Sequence, residues 1–392
     1  MISKEKLSQI QNHLKKNRID AWLIYQFIDL NPIFDKILGG QKQIVTRRTF
    51  LAIPQQGKPF LIHSRIDGGL SNLNLPAQTY VSYQEFKQVL KKTTSKYRKV
   101  AIEYSPLSAI PHISKVDAGI VDLLRNFGLE TISSGDLMQL VNQFTDQEIK
   151  SHLQAAKELD QIRKETFIWL EKSLTSQKKI NEYTIQQEIL TRFNQANLDT
   201  VFTPQCVINE NAARGHYQPS QNQSKELKKG DLLLIDMWLK LKGEKNIYAD
   251  ITWMLFRGNK IPEKIKKAFF AIVTARDKAI GFLRQRIKSN QQVRGWEVDK
   301  VARDYLQKRG YEKNFTNRLG HSIGTFVHGD QTHLDSHENK DDRLILPNHI
   351  SSVEPCLKFP GQFGIRTEVD ILVTQSDVIV TTEVQNKIYQ LP

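Results

Sequence analysis

Leu232-Leu233-Leu234-Ile235-Asp236-Met237-Trp238-Leu239 is a nearly continuous apolar run with one ionisable side chain in its middle. Such a run reads as a buried strand. Burying a lone carboxylate there costs several kcal/mol unless a proton or a cation compensates. Tyr248-Ala249-Asp250-Ile251-Thr252-Trp253 follows as a second strand. The turn-forming residues Lys242-Gly243-Glu244-Lys245-Asn246 lie between the two, so they read as a hairpin. A turn centred on Gly243 sets Asp236 and Asp250 opposite each other, where Cβ atoms lie roughly 5 Å apart and can cradle a cation.

The same symmetry recurs downstream. Glu354 and Glu368 are equidistant from Gly361, inside the turn-like Phe359-Pro360-Gly361-Gln362-Phe363-Gly364. A register slip of one residue would send one acid of either pair to the opposite face. With His321 the set becomes four carboxylates and one imidazole, which suits Mn²⁺, Co²⁺, Fe²⁺ or Zn²⁺ better than a soft metal. Bridging carboxylates would hold two such ions roughly 3.5 to 4 Å apart, the spacing of two-metal hydrolysis.

Outward from these hairpins, 392 residues at 39% hydrophobic composition are enough for two cores, and two domains are expected. From Lys4 to about Gly135, short strand-like runs (Ala21 to Phe27, Thr49 to Ile53, Phe60 to His63, Tyr80 to Tyr83, Val100 to Tyr104) alternate with helical patterns, as in a small α/β domain. Thr145-Asp146-Gln147-Glu148 is an N-cap signature for a helix running to about Leu174, and it places the boundary just before it. Residues 1–143 and 144–392 are the expected domains. A helix over Asn181 to Asn197, a strand over Val201 to Ile208 and helices near Pro262 to Ile287 and Glu297 to Gly310 complete the reading.

The net charge is +14, yet the densest basic group, Lys91, Lys92, Lys96, Arg98 and Lys99, has no accompanying nucleic-acid signature. A solvated basic surface is expected, and nucleic acid is not an expected partner. Cys206 and Cys356 are far apart, which suggests neither a disulfide nor a thiolate zinc site. Met1 to Arg18 reads as a polar amphipathic helix, and no apolar run reaches the roughly 20 residues of a membrane span. A cytoplasmic protein without membrane attachment is the expectation. His333, His337 and His349 sit in or beside a polar stretch containing Asp335, Asp341 and Asp342, which reads as a solvated loop without a role.

From about Val201 to Thr374 the sequence resembles the pita-bread metallopeptidases, the group of aminopeptidase P, prolidase, methionine aminopeptidase and metal-free creatinase. The resemblance is carried by Asn211-Ala212-Ala213-Arg214-Gly215-His216-Tyr217, Asp236, Asp250-Ile251-Thr252, Gly320-His321-Ser322-Ile323-Gly324-Thr325-Phe326-Val327-His328, Ser352-Val353-Glu354-Pro355 and Gly364-Ile365-Arg366-Thr367-Glu368. Arg47-Arg48-Thr49-Phe50-Leu51-Ala52-Ile53-Pro54 is similar to the N-terminal domain of the creatinase and prolidase branch. The resemblance implies an α+β fold: a C-terminal curved antiparallel sheet covered by helices, preceded by a smaller α/β domain.

It further implies two divalent ions, with Mn²⁺ expected. Asp236 would chelate one ion, Asp250 and Glu368 would bridge both, and His321 and Glu354 would complete the second. A bridging hydroxide would attack the bond between an N-terminal residue and proline, with Glu354 passing the proton, His216 and His328 binding substrate and oxyanion, and Arg366 orienting a bridging acid. Short peptides are the implied substrates and a homo-oligomer, dimer or tetramer, the implied assembly. Asn317 departs from many proline-directed relatives, which have a histidine there, and Met237-Trp238 replaces the usual x-Gly after the first aspartate. Two alternatives stay open: an inactive pita-bread protein that binds nucleic acid or protein, and a metal-free amidinohydrolase similar to creatinase.

Overall fold

The computed structural model describes residues 2–40, 42–215 and 217–392. It divides into two compact units, Met1–Asn142 and Gln143–Pro392.

The first unit is a six-stranded sheet, ordered β4-β3-β2-β1-β5-β6. Its strands are β1 (Ala21–Gln26), β2 (Thr49–Pro54), β3 (Phe60–Ser64), β4 (Ala77–Tyr80), β5 (Lys99–Ile102) and β6 (Glu130–Ser133). Its helices are α1 (Lys4–Lys16), α2 (Pro32–Ile37), α3 (Tyr83–Thr94), α4 (Ala118–Asn126) and α5 (Gly135–Val141). β1 pairs antiparallel with β2 and parallel with β5. Its side chains alternate between two cores: Trp22 and Ile24 pack with α1, α2 and α5 residues such as Leu14, Phe34 and Met138, whereas Leu23 and Tyr25 pack with Phe86 of α3 and Leu124 of α4.

The strand expected over Tyr80 to Tyr83 stops at Tyr80. Ser82 Oγ accepts the Glu85 N–H at 3.1 Å and Glu85 Oε2 accepts the Val81 N–H at 2.7 Å, so reciprocal capping starts α3 there.

The second unit begins with α6 (Asp146–Thr175), capped as its sequence predicts: Thr145 Oγ1 accepts from the Glu148 N–H while Glu148 Oε2 accepts from the Thr145 N–H. α7 (Glu182–Gln195), β7 (Leu198–Asp199), β8 (Gln205–Ile208), β9 (Leu232–Leu241), β10 (Ala249–Arg257), α8 (Glu263–Lys288) and α9 (Gly295–Lys308) follow. The chain ends with β11 (His349–Val353), β12 (Cys356–Phe359), β13 (Phe363–Arg366), β14 (Val369–Val373), β15 (Val378–Val380) and β16 (Tyr389–Leu391). β8 is shorter than expected because Pro204 has no N–H for a ladder and Val201 and Phe202 are exposed. Hydrogen bonding divides the strands into a five-stranded sheet (β16-β10-β9-β7 with β8 on β9), a three-stranded sheet (β11-β14-β15) and the β12-β13 hairpin. All of these pairs are antiparallel except β10 with β16.

β9 and β10 position the site. The odd-numbered side chains, Leu233, Ile235, Met237 and Leu239 with Ile251, Trp253 and Leu255, pack against α6 and α7. Leu232 and Leu234 with Met254 and Phe256 pack against α8 and α9. Each buried Leu or Ile contributes about 1.5–3 kcal/mol, so this alternation holds both faces against slippage. The even face changes character along the hairpin: beyond Leu234 come Asp236 and Trp238, and across from them Thr252 and Asp250.

Candidate metal centre

The β9-β10 ladder corrects the expected pairing. Asp236 lies opposite Thr252, and Asp250 lies opposite Trp238, so the hairpin is centred on Glu244 rather than Gly243. A shift of two residues between partners preserves the face, and the aspartates are diagonal neighbours instead of facing ones. The second hairpin is centred on Gly361 as expected, because Cys356 pairs with Arg366 and Phe359 with Phe363. Glu354 and Glu368 lie just beyond the ends of that ladder.

Asp250, His321 and Glu368, all buried, present ligand atoms within 4.8 Å of one another. His321 Nε2 is 3.7 Å from Asp250 Oδ2 and 3.4 Å from Glu354 Oε1. His321 Nδ1 meets the Ser322 carbonyl at 3.1 Å, and a carbonyl only accepts, so Nδ1 carries the proton and Nε2 keeps a lone pair facing the acids. Arg366 bridges Asp236 Oδ2 and Glu354 Oε2, the latter at 3.2 Å. The sequence reading has Arg366 orienting one of the bridging acids, Asp250 or Glu368; it grips the two other carboxylates instead.

Thr252 has no role in the sequence reading, yet its hydroxyl lies 3.0 Å from Asp236 Oδ1 and 2.6 Å from Glu368 Oε2. Asp370 accepts the Asp250 N–H at 2.8 Å. Both follow from period-two alternation, since Thr252 shares a face with Asp250 and Asp370 with Glu368.

The centre lines a cavity of about 610 Å³ with Asp236, Asp250, His321, His328, Glu354, Arg366 and Glu368. The His328 ring stands edge-on to that of His321, centroids 4.3 Å apart. Trp238 and Phe202 supply apolar wall, and Asn317 and Arg318 polar wall. Cys356 is a buried thiol directed at Asn317. His216, expected to touch substrate, lies outside the described residues.

Electrostatically the cluster is incomplete as protein alone. Burial, then Glu368, Asp236 and other carboxylates, push the Asp250 carboxyl well above its usual range. Burial and then Glu354 do the same for Glu368. Burial followed by Arg318 drives His321 down to about 3, so its imidazole is neutral. Among the described residues Asp250 Oδ1 and Glu368 Oε1 are buried without a hydrogen-bond partner. Acids packed this way need positive charge, and oxygen-rich donors around one neutral imidazole fit divalent ions of the Mn²⁺ to Zn²⁺ range.

The solvated-loop reading of the stretch after His328 is overturned for most of its members. His333, His349, Asp335, Asp341 and Arg343 are buried, while His337 and Asp342 are exposed. The polar side chains are buried because they bond backbone: Asp335 accepts the N–H groups of His337, Glu338 and Asn339.

Comparison with known proteins agrees with the geometry. An uncharacterized peptidase of Staphylococcus saprophyticus subsp. saprophyticus is 25% identical over 383 residues, 95% of this chain and 97% of that protein. The Xaa-Pro dipeptidase of Lactobacillus delbrueckii subsp. lactis is 23% identical over 394 residues, 98% of this chain and 99% of that one. In fold, the chain is similar to dipeptidase PepE from Mycobacterium ulcerans with a TM-score of 0.70 at 18% identity, covering 99% of this chain and 97% of that one. Residues 150–375 match metallopeptidase family M24. That match spans more than half of the chain, which belongs to family M24 and is a metallopeptidase.

Proposed function

We propose that the chain is a dinuclear Xaa-Pro peptidase acting on short peptides, with Asp236, Asp250, His321, Glu354 and Glu368 as the metal-holding set. The observation that carries this is the meeting of buried Asp250, His321 and Glu368, with Asp250 Oδ1 and Glu368 Oε1 unpartnered, at the wall of a cavity large enough for a short peptide. When bound, two divalent ions would make water nucleophilic at neutral pH and polarise the scissile carbonyl.

The side chains divide the remaining tasks. Asp236, Asp250, His321, Glu354 and Glu368 would together hold the ions. Glu354 Oε2 is held by Arg366, and Oε1, on the His321 side and 3.4 Å from the Ser352 hydroxyl, would take a proton from the attacking water and pass it to the leaving amine. His328, on the cavity wall beside His321, donates to the substrate carbonyl as negative charge develops there, and His216 is assigned the same kind of contact. Trp238 and Phe202 exclude water from the substrate's apolar side.

The proposal includes Mn²⁺ as the working ion, a homo-oligomer and a cytoplasmic location. No helix among the described residues is long and apolar enough to cross a membrane.

The test is hydrolysis of Ala-Pro and of a longer Ala-Pro-initiated peptide by metal-stripped protein, with and without Mn²⁺, beside an Asp250→Asn control. Mn²⁺-dependent cleavage absent from the control supports the proposal, and the preferred peptide length separates dipeptidase from aminopeptidase. Equal cleavage of peptides lacking proline would refute the Xaa-Pro preference. Tight Mn²⁺ binding with no cleavage of any peptide would point to a binding role instead.

A further inference from the structure

The backbone next to His321 is tied on both sides. The Ser322 N–H donates to His333 Nδ1 at 3.0 Å, and the His321 carbonyl, on the other edge of that peptide, accepts from the Ser352 N–H at 2.8 Å. The following peptide is held by the Gly329 N–H, which donates to the Ser322 carbonyl at 2.7 Å. That carbonyl is the one on which His321 Nδ1 rests. Its direction therefore sets both the tautomer and the tilt of the His321 ring, and its direction follows from how the preceding peptide is pinned.

His333 is itself held rigidly. Its N–H donates to Asp341 Oδ2 at 2.8 Å, and Arg343 grips both oxygens of Asp341 at 2.9 and 2.6 Å. Arg343 also donates to the carbonyls of Asp330 and Gln331 at 3.0 and 2.9 Å. His333, Asp341 and Arg343 are each 1% exposed. A Cβ built on Gly295 would stand 1.9 Å from the His333 carbonyl, so the first turn of α9 closes against this segment and leaves it no room to shift. Burying an ion pair is costly and is offset only by hydrogen bonds of good geometry. The hydrogen bonds made here locate one imidazole.

We infer that His333, carried by the Asp341–Arg343 pair, is a positioning residue that holds His321 as an Nε2 metal donor through the Ser322 backbone. The inference rests on the metal reading of the site given above. It assigns a purpose to a buried polar framework that packing alone would build more cheaply from apolar side chains.

Mn²⁺ binding to the metal-stripped full chain, followed by the electron paramagnetic resonance of free Mn²⁺, tests it with two variants. His333→Ala removes the acceptor, whereas His333→Asn keeps one where Nδ1 stood. The expected result is roughly 10–100-fold weaker binding by H333A and a loss of no more than about threefold by H333N. Wild-type affinity in H333A, or equal weakening in both variants, would overturn the inference while leaving the metal centre intact. A wild-type protein that binds no Mn²⁺ would overturn the metal reading and the inference with it.

¹⁵N-histidine spectra of the metal-free wild type need no folded alanine variant. His321 should be protonated on Nδ1 and His333 on Nε2, and a His333 found protonated on Nδ1 would overturn the inference.

Discussion

Asp250→Asn should make the metal-free protein more stable while removing most of its response to metal. Asp250 is 4% exposed, and its ligand oxygen lies within 4.8 Å of that of Glu368. Two carboxylates at such a separation repel by about 3 kcal/mol at an effective dielectric near 20. Partial protonation already relieves some of this, because burial and the neighbouring acids raise both carboxyls. A net gain of about 1–3 kcal/mol is expected in chelator, which for a unit of this size raises Tm by roughly 3–10 °C. Wild-type protein in a thousand-fold excess of Mn²⁺ over Kd gains about 4 kcal/mol, and the variant should gain less than about half of that. Differential scanning calorimetry in chelator and in Mn²⁺ measures both. A variant less stable than wild type in chelator, or one with an undiminished Mn²⁺ gain, would refute the reasoning that this cluster is held together by cations.

The same acids predict a pH dependence. The carboxyls of Asp250, Glu368 and Asp370 are raised by burial first, so their contribution is full at low pH and is lost as pH rises through their folded values. His152, His321 and His349 are pushed down, to about 4, 3 and 3, and act only below about 6.5, so above that pH chelated protein should lose Tm as pH rises through the folded carboxyl values while Mn²⁺ affinity rises. Arg366→Lys can serve only one of Asp236 and Glu354, and kcat/KM for the cleaved peptide should fall by roughly 10–100-fold; an unchanged value would deny the bridge a role. Gly320→Ala places a Cβ 2.1 Å from the Ser352 carbonyl, beside the strand that pins the His321 backbone, and should weaken Mn²⁺ binding by at least about tenfold in the same resonance assay. Glu103→Gln in the first unit leaves donors from Trp22, Tyr25, Asn31 and Ser134 facing an amide, and denaturant titration should show a loss of about 2–4 kcal/mol with Mn²⁺ affinity unchanged.

Much of the second unit was legible because its signals are local. The N-cap at Thr145, the two-faced apolar run at Leu232 and the turn at Gly361 each state their structure within a few residues. The pairing of Asp236 with Asp250 was not legible, because a hairpin axis depends on how the loop closes. In that loop the Asn246 side chain bonds the carbonyls of Leu241 and Lys242, and the Asn246 N–H bonds that of Gly243, which centres the turn one residue later than the glycine suggests. The error was harmless to the site since a two-residue offset keeps the face. A one-residue offset would have dispersed it.

The stretch from Gln331 to Asn348 failed for a different reason. Hydrophobic periodicity detects burial by apolar contact, and this segment is buried by polar side chains that satisfy one another and the backbone around them. Asp341, Arg343 and His333 look like solvent-facing residues in composition, and only the pairing of each donor with its acceptor shows that they are interior. Asp236 and Asp250 of the centre carry the opposite signature, charge inside an apolar strand, which a reader of sequence can flag at once. A charge that interrupts hydrophobic alternation announces a site, whereas charges that neutralise one another within a polar stretch conceal a scaffold. The dependence of Ser322 on His333 is of the second kind, and it places the support of a metal ligand in residues that sequence pattern assigns to the surface.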